Sequence, residues 1–239
     1  MATPTVVLIH GAFADAASWA PVTRELLDRG VEVLAPANPL RTLSGDAEAI
    51  RRAVESVDGP VVLVGHSYGG AVITVAGMAD NVVGLVYVAG YVPDEGESAA
   101  TLDGKYPASD LRDHLVALPY TTTDGKDDVD LTVEAGAFLP VFAAGLDARL
   151  AEVLAVSQRA FAGAAYNAPA SVTAWKSKPC WGIVAADDHT IQPETERFGY
   201  ERAKFRSVVE INAPHLAMQT HPKDVADVIE TAVRETASA

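Results

Sequence analysis

The sequence predicts an α/β protein built on one parallel sheet of six strands, and three observations carry that prediction. Short continuous aliphatic runs alternate along the chain with stretches whose apolar residues recur at helical spacing. The runs do not alternate apolar with polar, as a sheet with one wet face would, so helices are expected on both faces. With 239 residues, 49% of them apolar, and no low-complexity tract or internal repeat, the chain can fill one large core.

Thr5-Val6-Val7-Leu8-Ile9-His10, ending at Gly11, reads as a central strand feeding a loop. Ser18 can cap a helix that begins near Trp19, accepts Pro21 in its first turn and stops at Gly30. Val31 to Ala35 is the second strand. After a loop rich in Pro and Asn, Ala47, Ile50, Val54 and Val57 mark one helix face, and Gly59-Pro60 ends it. The third strand, from Val61, leads through Ser67 into the apolar helix Ala71 to Ala76, and Val82 to Val88 is the fourth. Alternation then stops. Residues 91–178 hold polar stretches such as Thr121 to Asp130 and helical ones such as Asp147 to Leu154 and Ser157 to Phe161, and read as a helical insertion. Cys180 to Ala185 and Ser207 to Ile211 supply the fifth and sixth strands, with helices at Pro193 to Lys204 and from Pro222 to about Thr236. The expected division is therefore a core of residues 1–90 and 179–239 and an insertion of 91–178, with the strands ordered second, first, third, fourth, fifth, sixth.

The chemistry concentrates at Gly65-His66-Ser67-Tyr68-Gly69. Gly-x-Ser-x-Gly arises often by accident, but here a buried strand precedes it and an apolar helix follows, the context in which the serine sits exposed on a sharp turn as a nucleophile. Gly65 and Gly69 remove side chains that would clash where the backbones approach. His66 is read as structural, because adjacent side chains on a tight turn point apart. A serine nucleophile needs a base, a group to orient the base, and oxyanion donors, each beyond the carboxyl end of a strand. His215 follows the last strand on a strand-to-helix loop, whereas His114 falls in the insertion, His189 beside the candidate acids and His221 at the final helix. Asp187 and Asp188 compete for the acid, with Asp94 a distant third. The backbone N–H groups of Tyr68 and Ala12 are the expected oxyanion donors. Phe13, Tyr91, Phe138, Phe142, Phe161 and Trp175 are candidates for a pocket wall and equally for core.

Composition excludes several partners. The net charge of −14, from 32 acidic and 18 basic residues, repels nucleic acid and anionic membranes and suits a small neutral substrate. No zinc or calcium spacing is present, so neither metal nor cofactor is expected. The lone Cys180 reads as a buried small residue. Met1-Ala2-Thr3-Pro4 carries no leader pattern, and no apolar run reaches the roughly 20 residues of a membrane span, so a soluble, cytoplasmic protein is expected. Nothing here fixes an oligomeric state.

With Ile9-His10-Gly11-Ala12-Phe13 and Trp19, Gly65-His66-Ser67-Tyr68-Gly69-Gly70, Asp188-His189-Thr190-Ile191-Gln192-Pro193 and His215 in place, the chain resembles the α/β-hydrolase superfamily from end to end. Within it, the chain is similar to the branch of small bacterial esterases, plant methyl esterases and plant hydroxynitrile lyases, in which the insertion is a helical cap. The family acid stands three residues before Ile or Val and five before Pro, which favours Asp188. The lyases of that branch carry Thr at the position of Gly11 and Lys at that of Leu216, so the resemblance implies an esterase acting through an acyl-enzyme. Cofactor-free perhydrolases and haloperoxidase-like members share the triad. A hydrolase-like signalling receptor with little turnover is the alternative from a different class.

Overall fold

The computed structural model describes residues 2–237. Its strands are β1 (Thr5–Ile9), β2 (Val33–Leu34), β3 (Val61–His66), β4 (Val82–Val88), β5 (Leu115–Thr121), β6 (Asp127–Val133), β7 (Phe161–Ala162), β8 (Cys180–Ala185) and β9 (Ser207–Ile211). The α-helices are α1 (Ala20–Asp28), α2 (Leu43–Glu55), α3 (Tyr68–Ala76), α4 (Ala99–Asp103), α5 (Phe138–Val141), α6 (Ala148–Val156), α7 (Gly163–Asn167), α8 (Pro193–Arg202), α9 (Ala217–Thr220) and α10 (Pro222–Ala237).

Six strands form one parallel sheet in the order β2-β1-β3-β4-β8-β9, the order expected from the sequence. Every residue of β1, β3 and β8 is buried, and each buried aliphatic side chain there contributes about 1.5–3 kcal/mol. α1 packs with α10, which also lies against β4 and β8, while α2 packs with α3. The sheet is thereby covered on both faces. The predicted second strand shrinks to Val33–Leu34 because it is a sheet edge and runs into Pro36. β9, the other edge, is largely exposed, and its Glu210 is held by Arg197 of α8 at 2.6 Å, which places charge on the edge and blunts it.

Between β4 and β8 the structure departs from the expected insertion of helices and loops. β5, β6 and β7 form a three-stranded antiparallel sheet, with Leu115 opposite Val133 and Leu131 opposite Phe161. The stretch Thr121 to Asp130 is therefore a hairpin rather than a loop. Its turn closes through Thr122 N–H to the Lys126 carbonyl at 2.8 Å, with Gly125 at φ 82°. Ser157 to Phe161 is likewise not helical but an approach to β7. The expected helix at 147–154 is α6, capped by the Asp147 carboxylate on the Arg149 and Leu150 amides. Pro119 is tolerated because β5 is an edge strand. Arg41 ties this sheet to the core by donating to Asp130 Oδ1 and the Ala160 carbonyl, both at 2.6 Å.

Candidate active site

The parallel strands deliver their carboxyl ends to one place, and the turn from β3 to α3 is its centre. Ser67 sits there at φ 55° and ψ −125°, a strained backbone for a residue with a side chain. The geometry is enforced by contact: a Cβ on Gly65 would lie 2.4 Å from the Gly69 carbonyl oxygen, and one on Gly69 would lie 2.5 Å from that of Ile9. Backbone bonds lock the turn, with Ser67 N–H donating to Val88 and Ala89 carbonyls and the Ser67 carbonyl accepting from Gly70 and Tyr91.

After β8, the loop carrying Asp187 and Asp188 separates the two. Asp188 is buried, with Oδ1 accepting from the Thr190 and Ile191 amides at 2.7 and 2.9 Å and Oδ2 lying 2.6 Å from His215 Nδ1. Asp187 is exposed and approaches only His189, at 3.6 Å. Asp94 pairs with Lys176 at 2.5 Å, away from this group. Of the other histidines, His189 Nδ1 pairs with Asp110, His114 with Glu134, and His221 Nδ1 lies beside the Thr220 hydroxyl. His215 is also buried, and its Nε2 has no partner among the described residues. His66 donates from Nε2 to the His215 carbonyl at 2.9 Å, pinning the loop that carries His215. Burial, then the neighbouring His215, drives the His66 pKa well below the usual range, so it stays neutral.

The first loop is held as firmly. His10 Nε2 accepts the Asn38 amide N–H at 2.9 Å, which leaves the proton on Nδ1, facing the Gly11 carbonyl at 2.9 Å. Burial lowers the His10 pKa and keeps that neutral form. Ala12 and Tyr68, the residues expected to donate to an oxyanion, both line the cavity beside Ser67. Their amides have no acceptor among the described residues. The Tyr68 hydroxyl is engaged elsewhere, donating to buried Asp46 at 2.8 Å.

That cavity has a volume of about 360 Å³, within the ordinary range for small-molecule sites. Three of the six expected aromatics, Phe13, Tyr91 and Phe161, line it. Phe138 and Phe142 do not: they line a recess of about 30 Å³, with Phe142 between Phe13 and His215 at ring separations of 5.7 and 5.3 Å. Trp175 lies outside both, its indole N–H donating to the Pro93 carbonyl at 2.9 Å. An indole so bonded is an anchor between the segments after β4 and before β8. Cys180 is buried in β8, where burial pushes its thiol up to about 12, so it is no thiolate nucleophile.

Two acidic residues that no motif signals complete the surroundings. Glu196 of α8 is fully buried and accepts the Ala185 amide at Oε2, 3.1 Å away. Burial first, and then the Asp188 charge, push Glu196 well above the carboxylate range, which favours its protonated form. Asp103 of α4 lines the cavity itself and accepts the hydroxyls of Tyr91 and Tyr166. No helix of the described residues is long and apolar enough to cross a membrane, and no group of three or more His, Cys, Asp or Glu among them is arranged to hold a metal ion.

Known proteins share this architecture. A probable hydrolase R7 of Phoma sp. is 27% identical over 250 residues, covering 96% of this chain and 98% of its own length. A carbendazim hydrolyzing esterase of Nocardioides sp. is 34% identical over 112 residues, 40% of this chain and 46% of its own. The crystal structure of polyneuridine aldehyde esterase superposes with a TM-score of 0.80 at 19% identity, covering 96% of this chain and 99% of that one. Residues 6–228 match the Alpha/beta hydrolase family. With a six-stranded sheet in this order and the family's pattern across nearly its whole length, the chain belongs to the alpha/beta hydrolase family.

Proposed function

We propose that this protein is a serine carboxylesterase that cleaves a small ester through an acyl-enzyme on Ser67. The observation that carries the reading is the buried 2.6 Å pair of Asp188 and His215, whose Nε2 is left unbonded, beside a cavity lined by Ser67 and two residues with unbonded amides. Ser67 Oγ attacks the ester carbonyl while His215 Nε2 takes its proton. Asp188 holds the Nδ1–H and stabilises the imidazolium that forms. The Ala12 and Tyr68 amides receive the oxyanion, where one donor is worth about 2.7–4 kcal/mol of transition-state stabilisation. The imidazolium then protonates the leaving alcohol. Water, deprotonated by the same His215, attacks the acyl carbonyl and frees Ser67.

Two positions favour hydrolysis over cyanohydrin cleavage. A Cβ at Gly11 would lie 2.6 Å from Ser67 Cβ, so the threonine of the lyases has no room there. Leu216, beside the base, is buried and carries no ammonium for a departing cyanide. The names of the relatives, a carbendazim hydrolyzing esterase and a polyneuridine aldehyde esterase, are consistent with a small ester substrate. Residues 91–178 act in this reading as a mixed helix and hairpin cap, since Tyr91, Asp103, Leu115, Leu131, Phe161 and Tyr166 from it line the cavity.

Mass spectrometry after treatment with an alkyl fluorophosphonate tests the reading, alongside turnover of a panel of short-chain esters. Stoichiometric labelling of Ser67, lost together with turnover in Ser67→Ala, is the expected result. Tight ligand binding without turnover or labelling would instead identify a receptor built on the same fold, and substantial cyanide release from mandelonitrile would identify a lyase.

A further inference from the structure

The cavity beside Ser67 is mostly apolar on the cap side, lined by Ala99, Leu111, Leu115, Leu131 and Phe161, yet Asp103 stands in it. Its carboxylate accepts from two hydroxyls, that of Tyr91, 2.9 and 2.8 Å from Oδ1 and Oδ2, and that of Tyr166, 2.7 Å from Oδ2. A carboxylate accepts about four. Among the described residues no Lys or Arg lies within ion-pair distance of it. Charge is expensive in such a setting unless fully paired. Burial accordingly raises the Asp103 pKa, against which the Tyr166 and Tyr91 hydroxyls pull it down.

Tyr91 sets where this acid stands. Its backbone N–H is tied to the Ser67 carbonyl at 3.2 Å and its hydroxyl to Asp103, so Asp103 lies one tyrosine's length from the nucleophile turn. A tie needed only to hold α4 to α7 has no reason to face the cavity or to leave acceptor sites open. Among the described residues, the one cationic side chain that lines the cavity, Arg112, is exposed. The net charge of −14 further favours a cation over an anion at the entrance.

From this geometry we propose that Asp103, held by Tyr91 and Tyr166, is a specificity-determining residue that receives a cationic amine or another strong hydrogen-bond donor on the substrate, at the end away from the cleaved ester. The substrate class is thus an amino-substituted ester rather than a plain alkyl one. The proposal rests on the placement of substrate beside Ser67 given above, but its test need not involve turnover.

Binding is measured by calorimetry to the Ser67→Ala protein, using short esters of graded length in three matched series, ending in a primary ammonium, a methyl or a carboxylate, with the substituent on either side of the ester. The ammonium series should contain a member bound at least about tenfold more tightly than its alkyl isostere, the range of a hydrogen bond to a charged group. Asp103→Asn should abolish that preference. Tyr166→Phe removes one competing donor and should keep or enlarge it, whereas a purely structural tie would make both variants weaken all three series alike. Equal binding of ammonium and alkyl series, an undiminished preference in Asp103→Asn, or selection of the carboxylate series through Arg112 would overturn the proposal. Failure of the esterase reading would show separately, as absence of turnover and labelling in the wild type with the ammonium preference intact.

Discussion

Asp188→Asn examines the reasoning about the acid most severely, because its neighbours dictate how the amide must lie. The two backbone N–H groups of Thr190 and Ile191 point at Oδ1 at 2.7 and 2.9 Å, and an amide NH₂ placed there would oppose two donors. The asparagine therefore keeps its oxygen toward them and turns its NH₂ to His215 Nδ1, where Oδ2 stood at 2.6 Å. The imidazole must then carry its proton on Nε2, the atom that has to be bare to take the proton of Ser67. The same exchange lowers kcat about 10⁴-fold in serine proteases, which is about 5.4 kcal/mol of barrier. A loss of that order is expected here in kcat for p-nitrophenyl acetate, with an unchanged circular dichroism spectrum. Asp187, 65% exposed at its side chain and touching only His189, should tolerate the same change within about threefold. Comparable losses at both positions, or a loss of less than a hundredfold at Asp188, would refute the assignment.

Gly11→Thr places a Cβ 2.6 Å from that of Ser67. Steady-state kinetics should show at least a hundredfold loss of kcat/KM, and a denaturant titration a destabilisation of about 1–3 kcal/mol from overpacking; a fully active, equally stable variant would contradict the packing described. Glu196 keeps its proton in the folded chain, whereas the unfolded chain releases it near pH 4.3. Wild-type stability therefore falls as pH rises above about 4.3 toward the raised folded pKa, by up to about 1.4 kcal/mol per pH unit. Glu196→Gln lacks that loss and should gain on the wild type between pH 4.5 and 7.5 in urea midpoints, whereas a constant difference would mean that Glu196 is ionised in the fold. Trypsin should cut first after Lys126, at the exposed tip of the β5–β6 hairpin. First cleavage after Arg51 or Arg52, inside the core helix α2, would contradict a separable cap.

What was legible in the sequence was what neighbours along the chain impose on one another. Val61 to Val64 followed by Gly65-His66-Ser67-Tyr68-Gly69 reads as a buried strand, a sharp turn and a helix from local pattern alone, and the contact that demands Gly65 is of that turn's own making, although the one that demands Gly69 comes from Ile9 of β1. The aliphatic runs of β1, β4 and β8 are readable for the same reason, as a strand buried on both faces needs no polar alternation. The β5–β6 hairpin was less legible although Asp124-Gly125 is a turn signal, because Pro119 and the aspartates at 127, 128 and 130 lower the strand propensity on either side. That stretch becomes sheet through pairing with β7, which adjoins Leu40 of the core through the Ala162 amide.

Tertiary structure alone decided the rest. The resemblance favours Asp188 over Asp187 by its spacing to Ile191 and Pro193, but the physical difference between a buried acceptor and an exposed carboxylate comes from the loop carrying His215 and the amides of Thr190 and Ile191. Trp175, Phe138 and Phe142 share the chemistry of Phe13, Tyr91 and Phe161, but which aromatic faces the cavity is set by the elements packed against it. Asp103 meets Tyr91 and Tyr166 across 12 and 63 residues, and Glu196 on α8 meets the Ala185 amide because that helix folds back onto the end of β8. A carboxyl's environment is the sum of groups brought from distant parts of the chain, so neither its protonation nor its partner is written in the residues beside it.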